Sequence, residues 1–354
     1  MSAHEPATPY LRVDVARARS NIERTARWAT AAGISLRPHA KTHKSPEIAR
    51  LQLEAGAVGL TVATIGEAEV FVEHGAEDVF IAYPLWLTPD AVRRLRDLAE
   101  RADLAIGVDS VESAERAARL LEGAGIVALV EVDSGQHRTG VAPDDAGALA
   151  AAAAEAGLSI RGVFTFPGHS YSPEARMSAA EDEALALRTA TGSLRAVGLE
   201  PDVLSGASTP SLAHTRTADL TEARPGVYVF GDAQQWELGA TDPTDIALTC
   251  QATVVSHGGG RLVLDAGSKA LGADRAAYAT GWGRLLDHPD ARVVQLSEHH
   301  AVVDLAGAPL PALGTRVAVV PNHVCAAVNL TDTLWAELDG RLEPWPVAAR
   351  GRNS

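Results

Sequence analysis

The chain has 354 residues, more than the roughly 250 that one (β/α) barrel occupies, so a barrel with a smaller second domain is the natural expectation. Apolar residues at 46% and charged residues at 21% are those of a globular chain with a sizeable core, which excludes a disordered or fibrous one. A formal net charge of −14 argues against nucleic acid or an anionic membrane as partner and leaves a small molecule as the expected ligand.

In chain order, the N-terminus MSAHEPATPYLRVD lacks a basic stretch followed by an apolar one, and Asp144, Asp145 and Glu155 break the Ala-rich run near residue 150. A cytoplasmic protein is expected. Residues 14 to 32 place Val15, Ala18, Ile22, Ala26 and Ala29 on one helical face, with Gly33 where a C-terminal cap belongs. A strand at Ile34 to Leu36 follows, and Ser45-Pro46-Glu47 opens a helix that stops at Gly56. Further strands are predicted at Val58 to Ala63, Val79 to Ala82, Leu104 to Val108, Val127 to Val132, Ile160 to Phe164, Asp202 to Leu204 and Gly226 to Phe230, mostly with helices between.

Eight strands alternating with helices imply parallel pairing through right-handed crossovers and closure into a TIM-type (β/α)8 barrel, with an open doubly wound sheet as the alternative. From about residue 240 the texture becomes β-branched, as in Ala247 to Ser256, Arg261 to Asp265 and Arg316 to Val320. The expected organisation is α/β: a barrel over residues 13–239, and a mostly β C-terminal domain over 240–354 joined by residues 1–12. The tail Ala348 to Ser354 reads as disordered.

Only Lys41, Lys44 and Lys269 among 31 basic residues are lysines. Arginine serves a solvated face equally well but cannot form a Schiff base, so the remaining lysines are candidates for work arginine cannot do. Two of them lie in Arg37-Pro38-His39-Ala40-Lys41-Thr42-His43-Lys44, just after the first strand, where barrels build active sites. Such a cluster also suits a solvated basic turn, but location and lysine scarcity favour a site. Crowding by Lys44, His39 and Arg37 is expected to depress the Lys41 amine and favour attack on an aldehyde.

Ser205-Gly206-Ala207-Ser208-Thr209-Pro210 and Arg224-Pro225-Gly226-Val227-Tyr228 supply small residues and turns that either form ordinary loops or, together, cradle a phosphate. The loop from Asp133 to Gly140 presents Arg138 at the same end. In His323-Val324-Cys325, alternate residues of an extended segment would point the same way and could share one metal. Two ligands are too few for a structural zinc site, whereas catalysis needs an open one.

The segments RPHAKTHKSPEIARLQLEAGAVGLTVATIGEAE, GHSY, TEARPGVYVFGD, LDAGSKAL and PNHVCAAVNL resemble the D-serine dehydratase and D-threonine aldolase family, relatives of alanine racemase. The resemblance implies a fold-type III barrel binding pyridoxal 5'-phosphate, a β domain, and a homodimer. By the same resemblance Lys41 carries the cofactor as a Schiff base, and Arg138, Tyr171, Thr209, Gly226 and Val227 bind it. His323 and Cys325 then hold a divalent metal. Arg224 resembles the arginine facing the pyridine nitrogen in alanine racemases, and Phe164 stands where dehydratases of the group carry a tyrosine that meets the cofactor.

The implied activity is dehydration of D-serine, or a related D-β-hydroxy amino acid, to an oxo acid and ammonia. Retro-aldol cleavage to glycine and an aldehyde is the alternative, and a non-catalytic carrier of the cofactor is a third reading. Pairing His with Cys resembles the dehydratase branch, and a thiolate favours zinc over magnesium or manganese.

Overall fold

The computed structural model describes residues 5–354; residues 1–4, part of the expected β domain, lie outside the described residues. In chain order the elements are β1 (Tyr10–Asp14), α1 (Val15–Ala32), β2 (Ser35–Leu36), α2 (Pro46–Glu54), β3 (Leu60–Val62), α3 (Ile65–Glu73), β4 (Asp78–Pro84), α4 (Pro89–Ala99) and β5 (Asp103–Val108). There follow α5 (Val111–Leu120), β6 (Val127–Glu131), α6 (Ala146–Glu155), β7 (Ile160–Phe164), α7 (Arg176–Ala196), β8 (Val203–Gly206), β9 (Glu222–Ala223) and α8 (Ala233–Glu237). The remainder is β10 (Leu248–Ser256), β11 (Leu262–Leu264), α9 (Ser268–Leu271), β12 (Gly283–Leu285), β13 (His288–Leu296), β14 (Ala301–Asp304), β15 (Arg316–Pro321), α10 (Val324–Val328), β16 (Thr333–Leu338) and β17 (Arg341–Pro346).

The chain forms two compact units. One comprises Thr25–Lys41, Ala49–Gly226 and Arg352–Ser354; the other takes the chain up to Arg24, then Thr42–Ile48 and Val227–Gly351. The first unit contains a parallel eight-stranded sheet in the order β2-β9-β8-β7-β6-β5-β4-β3. A parallel bridge between His39 and Thr61, with the Thr61 N–H donating to the Pro38 carbonyl at 2.8 Å, joins the two ends, so the sheet curls into the TIM-like barrel expected of the alternating pattern. Phe80, Ala105, Leu129 and Phe164 from four successive strands form a buried interior cluster. Phe80 and Phe164 meet edge to face at 5.0 Å, and a Cβ on Gly107 would come within 2.8 Å of the Phe164 ring. Helices α3, α4 and α5 start where the hydroxyls of Thr64, Thr88 and Ser110 cap N–H groups, and α1 stops before Gly33 at φ +69°.

The eighth barrel strand is not Gly226 to Phe230 but Glu222–Ala223; Val227–Val229 form a turn of 3-10 helix. Pro225 has no N–H to continue the ladder, so the strand ends before it. The apolar run Val227 to Phe230 read as a strand because it is buried, and burial alone does not fix secondary structure.

The second unit is built on a nine-stranded sheet in the order β11-β14-β13-β12-β15-β10-β1-β16-β17, antiparallel except that β1 runs parallel to β16. The tail is ordered where disorder was expected. Ala349 is fully buried with its N–H on the Lys44 carbonyl at 3.1 Å, and Arg350 bonds Asp332 at 2.7 Å. Among the described residues no helix is long and apolar enough to cross a membrane.

Candidate active site

The barrel unit brings its expected site residues to the C-terminal ends of its strands. Lys41 lies in a 3-10 turn, Ala40–Thr42, after β2; Arg138 follows β6, Tyr171 follows β7, and Thr209 follows β8. The ring of Phe166, two residues beyond β7, gathers three of them. Lys41 Nζ lies 5.7 Å from its centroid, the Arg138 guanidinium carbon 5.7 Å, and the Tyr171 ring 6.4 Å at a 44° tilt. Ser170 Oγ bonds Ser208 Oγ at 2.8 Å, which ties the Tyr171 loop to the segment bearing Thr209. The His39 N–H donates to the Pro225 carbonyl at 3.1 Å, tying the Lys41 segment to the turn that ends at Gly226. Val227 opens the 3-10 turn counted with the second unit, buried, its carbonyl accepting the N–H groups of Phe230 and Gly231.

Phe166 escaped the sequence reading, although period-two spacing from inward-facing Phe164 was the signal for it. Phe164 itself belongs to the barrel core at 2% exposure, one layer below. The aromatic ring beside Lys41 is therefore Phe166.

Of the groups expected to crowd Lys41, Arg37 and Lys44 have other hydrogen-bond partners. Arg37 Nε donates to Glu222 at 2.6 Å and its two Nη atoms to Asp78 at 2.7 and 2.8 Å. Burial opposes the charge on Arg37, but the two carboxylates hold its pKa above the ordinary arginine value. Lys44 donates to Asn329 at 2.8 Å. Both cations are committed elsewhere.

Arg224, also buried, donates from Nε to Ser205 Oγ at 2.7 Å and from Nη2 to the Thr165 carbonyl, with its guanidinium 5.2 Å from the Phe164 ring. Burial pulls its pKa down against the opposing pull of Glu222, Glu183 and Glu131. Ser205 in turn donates to Glu222 at 2.6 Å.

In the second unit His323 is the extended residue before α10 and Cys325 lies in that helix's first turn, so the pair is not the extended segment expected. They meet nonetheless: the Cys325 sulfur, through charge and a hydrogen bond, pushes the imidazole pKa up to about 9, with burial opposing. Asp274 lies 3.3 Å from His323 Nδ1. Asp232, fully enclosed, accepts the N–H of Val324, between the two candidate ligands, at 3.2 Å and that of Gln235 at 2.8 Å; burial pushes its carboxyl up to about 6. Cys325 Sγ lies 3.4 Å from Thr42 Oγ1, the residue after Lys41.

Two donor sets emerge. A primary amine, a guanidinium, a phenol, hydroxyls and loop amides at strand ends suit an aromatic aldehyde bearing a phosphate, and they cluster on an apolar ring. An imidazole with a thiol suits a borderline-soft divalent metal; among the described residues no group of three or more His, Cys, Asp or Glu is placed to hold one.

The description "alanine racemase, N-terminal domain" matches residues 13–234, and "putative serine dehydratase domain" matches residues 247–336. The chain belongs to the alanine-racemase-like family of pyridoxal-phosphate enzymes. Within it, the chain is 34% identical to the D-threo-3-hydroxyaspartate dehydratase of Delftia sp. strain HT23 over 96% of both chains. The solved D-threonine aldolase from Filomicrobium marinum superposes with a TM-score of 0.87 at 32% identity, covering 98% of this chain and 96% of that one. A cysteine-to-alanine variant of a D-threo-3-hydroxyaspartate dehydratase, solved in a metal-free form, superposes with a TM-score of 0.88 at 33% identity over 96% of this chain and 97% of that one. The branch is one of lyases.

Proposed function

We propose that the protein is a pyridoxal-phosphate- and metal-dependent lyase that dehydrates D-serine or a related D-β-hydroxy amino acid to an oxo acid and ammonia. The observation that carries the reading is the sharing of Phe166 by Lys41, Arg138 and Tyr171, beside a serine-rich loop joined to them through Ser170. When bound, the cofactor supplies an electron sink for bond breaking at the amino acid's Cα.

Lys41 would hold it covalently, and its Nζ would serve as the base that takes the substrate's Cα proton. Phe166 gives that amine an apolar wall, which limits competing water. Arg138 and Tyr171 would orient the ring, while Thr209, Gly226 and Val227 would hold the phosphate. His323 and Cys325 would hold the metal, where Lewis acidity toward a β-hydroxyl is the chemistry needed; the thiol favours zinc. That Cys supports dehydration over retro-aldol cleavage, and the metal-free form of a Cys variant of a related dehydratase supports its role in holding metal. A homodimer, following the family resemblance, and a cytoplasmic location, following the sequence, complete the proposal.

The test is product analysis after incubation with pyridoxal phosphate, zinc and, separately, D-serine, D-threonine and the Delftia relative's D-threo-3-hydroxyaspartate. Pyruvate, 2-oxobutanoate or oxaloacetate is the expected product of dehydration. Glycine with acetaldehyde from D-threonine would replace the reading by the aldolase. No product from any of the three would overturn this substrate assignment and favour the carrier.

A further inference from the structure

Helix α7 carries a carboxyl that none of the chemistry above uses. Glu183 is fully buried, and its Oε1 accepts the Ala207 N–H at 2.6 Å, while its Oε2 has no hydrogen-bond partner among the described residues. The same Oε1 would lie 2.5 Å from a Cβ at position 206, so Gly206 is required where the carboxyl approaches the chain. Ala207 then adopts φ +65°, a conformation costly for a residue with a Cβ unless its surroundings impose it. The hydrogen bond from its N–H to Glu183 is such a constraint. Immediately afterwards come Ser208, bonded to Ser170 and Ser211, and Thr209.

We propose that Glu183 is a positioning residue for the cofactor phosphate, fixing the left-handed turn at Ala207 that sets the course of Ser208 and Thr209. The inference rests on the pyridoxal-phosphate reading. It also gives Glu183 a sign of action. As a neutral acid it offers an acceptor to Ala207 without placing a negative charge beneath a dianion; ionised, it opposes that dianion. Burial pushes its pKa up to about 7, with the Ala207 N–H and the Arg224 guanidinium, the cation facing it from the end of β9, pulling it back. Glu222 and Glu131 act on Arg224 in turn. The neutral form therefore prevails below neutrality and the charged form above it.

The experiment compares binding of pyridoxal phosphate and of phosphate-free pyridoxal to the full-length wild type, Glu183→Gln and Glu183→Leu, followed by absorbance of the bound cofactor. Glu183→Leu is expected to weaken pyridoxal phosphate by about tenfold or more and pyridoxal by less than about threefold, since the loss falls on the phosphate. Equal losses for both compounds, or none, would overturn the proposal. Should Glu183→Leu fail to fold, Glu183→Gln decides, because the amide keeps an acceptor but cannot ionise. Its preference for pyridoxal phosphate over pyridoxal is expected to hold steady from about pH 6 to about pH 8.5 after correction for the phosphate's own ionisation, while that of the wild type falls several-fold. Coincident profiles would sink the idea. A wild type that binds neither compound would instead remove the cofactor reading itself.

Discussion

One buried group of charges in each unit illustrates two ways of keeping charge. In the barrel unit Asp78, Arg37, Glu222, Ser205 and Arg224 form one continuous hydrogen-bonded run that ends on the Thr165 carbonyl and links β4, β9, β8 and the segments after β2 and β7. Its two carboxylates and two guanidiniums alternate, so the run is balanced. In the second unit Asp232 stands beneath a single histidine and cysteine, its carboxyl pushed up to about 6 while the imidazole is pushed up to about 9. Both shifts keep a proton on these groups to higher pH than usual, and a metal bound by the imidazole would displace its proton. The comparison separates charges that build a scaffold from charges placed to react.

The sharpest way to break that comparison is to remove one reactive group from each unit. Lys41→Ala is expected to abolish both turnover, by at least about a thousandfold, and the absorbance of bound cofactor; Lys41→Arg fails equally, because guanidinium is no nucleophile. Cys325→Ala should lower turnover by about a hundredfold while the cofactor absorbance survives. Retained activity of Cys325→Ala in metal-stripped buffer would reassign the His323 and Cys325 pair to structure.

Next in size is the scaffold. Arg37→Met leaves Glu222 and Asp78 without their cation, and breaking such a buried pair costs about 3–5 kcal/mol. Denaturant unfolding of the barrel transition measures it. A loss below about 1 kcal/mol would mean that Asp78, at 27% side-chain exposure, and Glu222 are resolvated by water.

What the sequence disclosed follows the same division. The barrel was legible because strands buried on both faces read as short apolar runs and helices announce themselves by end signals such as Gly33 after α1 and Ser45-Pro46 at the start of α2. Its eighth strand was misplaced because Val227 to Phe230 is as apolar as a strand while Glu222–Ala223, holding Arg37, is not. In the second unit β10, β11 and β15 were visible, whereas β13 was not: its polar outer face and the irregular register between Val293 and Gln295 interrupt the alternation. Lys41 stood out through lysine scarcity and position. Phe166 and Glu183 did not, because their roles arise from contacts with loops distant in sequence.

The smallest expected effect concerns the tail, where sequence suggested disorder and the structure shows docking. Within the barrel unit the Arg352 carbonyl accepts from Thr64 Oγ1 at 2.6 Å, and the Ser354 carbonyl accepts from the Gly66 N–H at 2.9 Å and from Arg94 Nη2 at 3.1 Å. These partners include an N–H in the first turn of α3, which has no acceptor inside its own helix. A Cβ at Gly66 would lie 2.7 Å from that carbonyl, so the glycine leaves room for the docked tail. Because these contacts are half exposed, deleting residues 352–354 should cost only about 1 kcal/mol, a melting shift of about 2–4 °C. Gly66→Ala gains helix propensity but must displace the tail, so the two terms nearly cancel in the full chain. In the shortened chain only the gain of up to about 1 kcal/mol remains. A stabilisation by Gly66→Ala that appears only after the deletion therefore reports the docking directly. Equal effects in both chains would show that the tail contributes no stability there.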